Sequence, residues 1–196
     1  MGLSRNFRNT FSVVILFLLA NSAFAAERAI DPAASHLTVK VWKTGLFSAF
    51  AHNHDISAPI ASGTVREGDG ASVKFRVDAR EMRVLDPEAS ESTRAEVQKN
   101  MLSAEVLDTQ RYAEIAFEST VIASDKSGVC EVSGNLTLHG QTHSVQVTVK
   151  QVGAGGRYEG GAKLKQTAFG IQPISIGGGA VKVKDEVDIA FTIVLK

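Results

Sequence analysis

Two histidines separated by one residue are the clearest candidates for chemistry in this chain. They lie in the segment AHNHD at positions 51–55. If this segment is extended, His52 and His54 point to the same side, because side chains alternate between the two faces of a strand. Two imidazoles on one face can ligate a metal ion, or they can hydrogen-bond the polar head group of a ligand. The plainer alternative is a strand entry at which Asn53 and Asp55 make turn hydrogen bonds.

The other polar motifs favour binding over catalysis. His139 and His143 bracket a tight turn, where such residues are common. Cys130, the only cysteine, follows Val129, and we interpret it as a small apolar strand residue rather than a reactive thiol. The sequence has no Gly-rich phosphate loop, no Gly-x-Ser-x-Gly elbow, no Cys-x-x-Cys pair and no His-Glu-x-x-His helix. We therefore predict a protein that is not an enzyme and that needs no cofactor.

The charge balance narrows the range of partners. The chain has 21 basic and 21 acidic residues, and its formal net charge is zero. Such a balance gives no general electrostatic attraction to nucleic acid or to an anionic membrane surface. We predict no nucleic-acid partner, and the composition assigns no oligomeric state.

The N-terminal residues predict export. Arg5 and Arg8 precede an apolar run at 11–20, and Ala23-Phe24-Ala25 then matches the small-x-small pattern of a signal-peptidase site. The run is too short for a permanent membrane-spanning helix, which needs about 20 residues. We therefore predict a signal peptide at 1–25, cleaved near Ala25, and one periplasmic domain at 26–196. An uncleaved membrane anchor is the alternative.

The elements that must position the polar residues are mostly strands. Apolar and polar residues alternate with period two near 37–42, 73–78, 115–121, 136–138, 144–150 and 187–195, which predicts strands with one apolar face. The segment at 90–107 differs, because it is rich in helix formers and has Ser90 or Ser92 available as a cap. We predict a helix of about three turns there, and a shorter helical turn at 45–51.

Short turns between the strands predict antiparallel pairing. Gly-containing turns at 67–70, 139–141 and 177–179 separate the apolar runs, a pattern typical of a sandwich or a barrel. A closed barrel of about eight strands can hold one elongated apolar ligand, whereas an ordinary packed core is the alternative for each inner-facing residue. The candidate lining residues are Val39, Val41, Phe47, Phe50, Phe75, Leu102, Phe117, Leu138, Val147 and Phe191.

Several motifs together resemble the YceI-like family of exported bacterial proteins. They are NMLSAEVLD at 100–108, RYAEIAFES at 111–119 and GNLTLHGQTHSV at 134–145. Ile30-Asp31 and Ser35-His36-Leu37 also fit the family pattern. Each motif is weak alone, but their order and spacing are fairly specific, and the resemblance covers essentially the whole chain after residue 25.

The resemblance implies a mainly β fold, an antiparallel lipocalin-like β-barrel of about eight strands with a short helical insert. It also implies an interior that holds an isoprenoid chain, such as a polyprenyl or quinone lipid, in a periplasmic protein. Some family members are linked with membrane b-type cytochromes, so the resemblance implies such a cytochrome as a partner.

The chain departs from the family pattern in two places. Ala113 stands where the family usually has proline, and the segment at 45–56 replaces the usual His-x-Gly pattern with one that carries His52 and His54. This segment is similar to a branch of the family with paired histidines. Two hypotheses follow: a carrier of isoprenoid lipid in which these histidines contact the head group, and a metal-dependent or haem-related periplasmic protein in which they are ligands.

Overall fold

The computed structural model describes residues 26–45, 53–124, 127–153, 155–176, 178 and 181–196. Within these ranges the chain forms twelve β-strands and one α-helix, α1 (Glu91–Leu102). In chain order the strands are β1 (Glu27–Ala29), β2 (His36–Thr44), β3 (His54–Ser57), β4 (Ile60–Arg66), β5 (Ser72–Asp78), β6 (Arg83–Val84), β7 (Glu114–Ser124), β8 (Val129–Leu138), β9 (Gln141–Gln151), β10 (Arg157–Lys165), β11 (Ser175–Ile176) and β12 (Val181–Val194). The predicted signal peptide, and the predicted helical turn at 45–51 beyond its first residue, lie outside the described residues.

All twelve strands belong to one antiparallel sheet. Its order is β1-β4-β5-β7-β8-β9-β10-β12-β2-β3-β6, and β11 pairs with β12. The sheet curls round until its first strand meets β12, because Ile30 after β1 bridges Leu195 after β12. Across the same seam the N–H of Lys196 donates to the carbonyl of Ala29. The apolar faces of the strands therefore enclose a common interior.

The prediction of a mainly β, antiparallel fold with one helical insert is confirmed, but the predicted number of about eight strands is wrong. Three interruptions account for most of the difference. Residues 31–35 separate β1 from β2, Ala58-Pro59 separates β3 from β4, and a 3-10 turn at Ala79–Glu81 separates β5 from β6. Pro59 has no N–H to donate to a neighbouring strand, so the ladder stops there. The two-residue strand β11 is the remaining addition.

The predicted turn at 139–141 is confirmed as the hairpin between β8 and β9. Its two central residues, His139 and Gly140, have φ angles of 50° and 71°. Two successive positive φ angles match the right-handed twist of the flanking strands. The ring of Tyr112 occupies the space that a side chain at Gly140 would need.

The predicted helix of about three turns is also confirmed. Ser90, rather than Ser92, caps it, since the Ser90 Oγ accepts the Thr93 N–H at 3.1 Å. Gln98 fastens α1 to the sheet: its Oε1 accepts the Val84 N–H at 2.8 Å and its Nε2 donates to the Met82 carbonyl at 2.9 Å. These bonds hold the helix beside β6 at one end of the enclosed interior. In the described part of the chain, no helix is long and apolar enough to cross a membrane.

Candidate functional site

The interior of the curled sheet is an apolar cavity rather than a filled core. Its volume is ≈ 870 Å³, within the range of about 300–1,000 Å³ that is typical of small-molecule sites. Val147 on β9 and Phe191 on β12 point inward and are only partly buried, because their side chains border this space. Val97 and Met101 of α1 border it from the helix side.

Most of the predicted lining residues are brought together at this cavity. Leu102 is an exception: it packs against the core from the end of α1, while Met101 borders the cavity. Phe47 and Phe50 lie outside the described residues. That any of these residues contacts a ligand stays a prediction. The seven that border the cavity are Val39, Val41, Phe75, Phe117, Leu138, Val147 and Phe191.

Two glycines let aromatic rings lie close to the backbone of the wall. Gly134 on β8 lies beside the ring of Phe117, and Gly160 on β10 lies beside the ring of Phe191. A Cβ atom at either glycine would collide with the ring and with a backbone carbonyl oxygen. Phe117 also stacks on Phe75, with ring centroids 5.5 Å apart. The aromatic rings of Phe75, Phe117 and Phe191 therefore form part of the wall of the cavity.

A histidine and a buried carboxylate meet at the cavity wall. His54 borders the cavity, and its Nδ1 lies 2.6 Å from Oδ2 of Asp86, a residue that is 5% exposed. Oδ1 of Asp86 accepts the backbone N–H of Asp55 at 2.8 Å. A carboxylate has only acceptors, so the Nδ1 of His54 carries the shared hydrogen.

Sequence reasoning found His54 but missed Asp86. The two residues are 32 positions apart, and Asp86 stands in the polar segment LDPEAS after β6, which matches no motif. The pairing depends on β6 lying next to β3 in the sheet, with Ile56 opposite Val84. His52, the other predicted histidine, lies outside the described residues.

A second polar group lies towards the opposite end of the cavity. The hydroxyl of Tyr158 on β10 donates to the carboxylate of Glu67, and Arg28 forms an ion pair with Glu67 at 3.5 Å. Burial and the hydrogen bond to Glu67 raise the pKa of Tyr158 to about 12, because both disfavour the phenolate. Cys130 also borders the cavity, and its Sγ lies 3.1 Å from the Oγ of Ser124.

The two histidines at the β8–β9 hairpin make structural contacts. His139 Nδ1 lies 3.1 Å from the carbonyl oxygen of Phe169, and the ring of His143 meets the ring of Phe169 edge to face, with centroids 5.3 Å apart. Throughout the described ranges, no three His, Cys, Asp or Glu side chains come together as a metal site requires. Of the predicted pair His52 and His54, only His54 lies within the described residues.

Comparisons with known proteins match this fold. A sequence model of the YceI-like domain matches residues 29–195. A UPF0312 protein of Pseudomonas putida (strain W619) is 31% identical over 206 residues, which covers 93% of this chain and 95% of that protein. The crystal structure of Burkholderia cenocepacia BcnA gives a TM-score of 0.64 at 20% identity and covers 84% of this chain and 98% of BcnA. A polyisoprenoid binding domain from Saccharophagus degradans gives a TM-score of 0.55 at 14% identity, over 86% of this chain and 97% of that domain.

Proposed function

This chain belongs to the YceI-like domain family, and we propose that it is a periplasmic carrier that holds an isoprenoid-type lipid, a polyprenyl or quinone lipid, in its interior. The observation that carries this proposal is the apolar cavity of ≈ 870 Å³ bordered by the inner faces of the strands. The similarity in fold to the Saccharophagus degradans domain, which is described as polyisoprenoid binding, supports the same class of ligand.

The binding energy would come from burial of the hydrocarbon tail. Each Å² of apolar surface removed from water contributes roughly 25 cal/mol, so a tail of several isoprene units binds without any charged contact. Side chains such as Val39, Val147 and Phe191 offer an apolar wall to such a tail. An isoprenoid tail in an aqueous compartment needs this kind of shielding, and the carrier role follows from that need.

Cavity filling tests this function with a matched pair of variants. Val147 borders the cavity, whereas its neighbour Gln146 on β9 is exposed on the other face of the strand. We expect Val147→Trp to reduce uptake of a short-chain quinone or polyprenol at least tenfold, because the indole occupies the space of the tail. Gln146→Trp should bind like the wild type.

Native mass spectrometry after gentle purification gives the independent measurement. We expect a lipid to co-purify with the wild-type protein and to be absent from Val147→Trp. A wild-type protein that carries no lipid and takes up neither a polyprenol nor a quinone would contradict the proposed function.

The periplasmic location rests on the N-terminal sequence. Arg5, Arg8, the apolar run at 11–20 and the Ala-x-Ala pattern ending at Ala25 all motivate it. Mass determination of the protein from the periplasmic fraction should give a chain that begins at residue 26 or 27. A chain that keeps residues 1–25 in the membrane fraction would argue for an anchored protein instead. A membrane b-type cytochrome is the partner that we propose with this location.

The metal-dependent or haem-related alternative makes a different prediction. It requires metal or haem to be retained at about one equivalent after dialysis and to be lost in His52→Ala and in His54→Ala. In the structure, one ring nitrogen of His54 is already engaged by Asp86. Elemental analysis and the visible spectrum of the purified protein separate this alternative from the lipid carrier.

A further inference from the structure

The His54–Asp86 pair leaves one ring nitrogen of His54 open. Nδ1 is committed to Asp86 Oδ2 at 2.6 Å, and Nε2 has no hydrogen-bond partner among the residues that the structure describes. Within those residues, every buried side-chain nitrogen or oxygen atom has a hydrogen-bond partner. Because Nε2 has no such partner, it is not buried. The ring borders the cavity, and its strand partner Val41 borders the cavity too.

The protonation of the pair decides what Nε2 can do. A neutral imidazole has one N–H donor and one acceptor nitrogen. Asp86 takes the donor at Nδ1, so Nε2 is the acceptor. An acceptor at the wall of a mainly apolar cavity favours a ligand that brings a hydroxyl hydrogen.

We propose that Nε2 of His54 accepts a hydrogen bond from the ligand's head group, so that the cavity selects isoprenoids with a hydroxyl group, such as a prenyl alcohol or a hydroquinone, over otherwise identical molecules without one. This inference rests on the proposed function. His54 is the contact residue, and Asp86 is a positioning residue that fixes the tautomer.

The backbone N–H of Asp55 fixes the orientation of the side chain at position 86, and Asp86→Asn is therefore a clear test of the tautomer. In Asp86→Asn, the side-chain oxygen still accepts the Asp55 N–H that Oδ1 accepts now. The amide NH₂ then faces His54 Nδ1, which must become the acceptor, and the hydrogen moves to Nε2. This variant should therefore convert Nε2 of His54 from an acceptor to a donor with little change in shape.

The probes are geranylgeraniol and geranylgeranyl methyl ether, in which a methyl group replaces the hydroxyl hydrogen; the same methyl group is present in every comparison between wild type and variant. We expect the wild type to bind the alcohol about fivefold more tightly than the ether, the size of one net hydrogen bond. In Asp86→Asn and in His54→Phe the alcohol-to-ether affinity ratio should fall from about five to about one. Binding is measured at about pH 9, above the range in which an imidazole ordinarily gains a proton.

One control variant isolates the effect. Asp55→Asn makes the same acid-to-amide change one residue from His54, but the Asp55 side chain lies on the outer face and pairs with Lys40 at 3.3 Å; it should keep the wild-type ratio. Lys43, Lys165 and Lys182 also border the cavity, and their charges act equally on the two uncharged probes.

The ¹⁵N chemical shifts of the His54 ring read the tautomer directly. We expect an unprotonated Nε2 in the wild type and a protonated Nε2 in Asp86→Asn, a difference that a merely structural role for Asp86 does not produce. Equal affinity of the wild type for alcohol and ether, an unchanged ratio in both variants, or a protonated Nε2 in the neutral wild type would each overturn the inference. If neither probe binds the wild type, the proposed function fails as well.

Discussion

At the scale of single residues, the polar chemistry of this protein lies at the wall of an apolar space. His54 with Asp86, and Tyr158 with Glu67, are pairs formed between segments distant in sequence. Each pair satisfies a polar group that would otherwise be costly to bury. The two pairs differ in the atoms that remain unpaired. The Tyr158 hydroxyl donates its hydrogen to Glu67, whereas the pairing of His54 with Asp86 uses only one of its two ring nitrogens.

Tyr158 predicts a specific loss of stability at alkaline pH. Its pKa is about 12 in the folded protein against an ordinary value of about 10, so the folded state holds the phenol proton more tightly than the unfolded state does. The stability that this preference contributes is complete below about pH 10 and is lost as the pH rises towards 12. We expect the free energy of unfolding in urea to fall more steeply over this interval in the wild type than in Tyr158→Phe. Parallel pH profiles would contradict the assignment.

At the scale of elements, interruptions determine how the strands enclose the cavity. Pro59 ends one ladder and lets β3 and β4 pair with different neighbours, β2 and β6 on one side and β1 and β5 on the other. The Gln98 side chain holds α1 at this region, and Ser90 caps the first turn of the helix. The helix is therefore an element whose position depends on a few polar contacts.

The N-terminal cap of α1 can be tested with two neighbouring serines. Ser90 Oγ accepts the Thr93 N–H, whereas Ser92 Oγ hydrogen-bonds to the Ser90 hydroxyl at 2.9 Å and to no backbone N–H of the described residues. Ser90→Ala should lower the free energy of unfolding by about 1 kcal/mol, because one N-terminal N–H of the helix loses its partner. Ser92→Ala should change it by less than about 0.5 kcal/mol. Chemical denaturation measures both, and equal effects would show that the cap is not Ser90.

At the scale of the whole molecule, the local patterns were predictable and the long-range pairings were not. Alternation around Val145, Val147 and Val149 is a property of one segment, and so is the turn at His139-Gly140. The Asp86 contact required the neighbour relation of β3 and β6, which no single segment encodes. The predicted number of strands was wrong for a related reason. A break such as Pro59 divides the chain into two strands, β3 and β4, that both belong to the same sheet.

The open apolar cavity predicts that a bound ligand raises the stability of the folded protein. Residues such as Val147 and Phe191 border open space, so the empty protein leaves apolar surface that a bound tail would bury. A ligand at 100 times its Kd stabilises the folded state by about 2.7 kcal/mol, equivalent to a rise in Tm of about 5–10 °C. We expect calorimetry to show this rise when delipidated wild type or Gln146→Trp is reloaded with geranylgeraniol. Val147→Trp should show a smaller rise at the same ligand concentration, because the indole takes up space that the tail needs. A wild-type Tm that does not move would contradict binding of the tail by the folded protein.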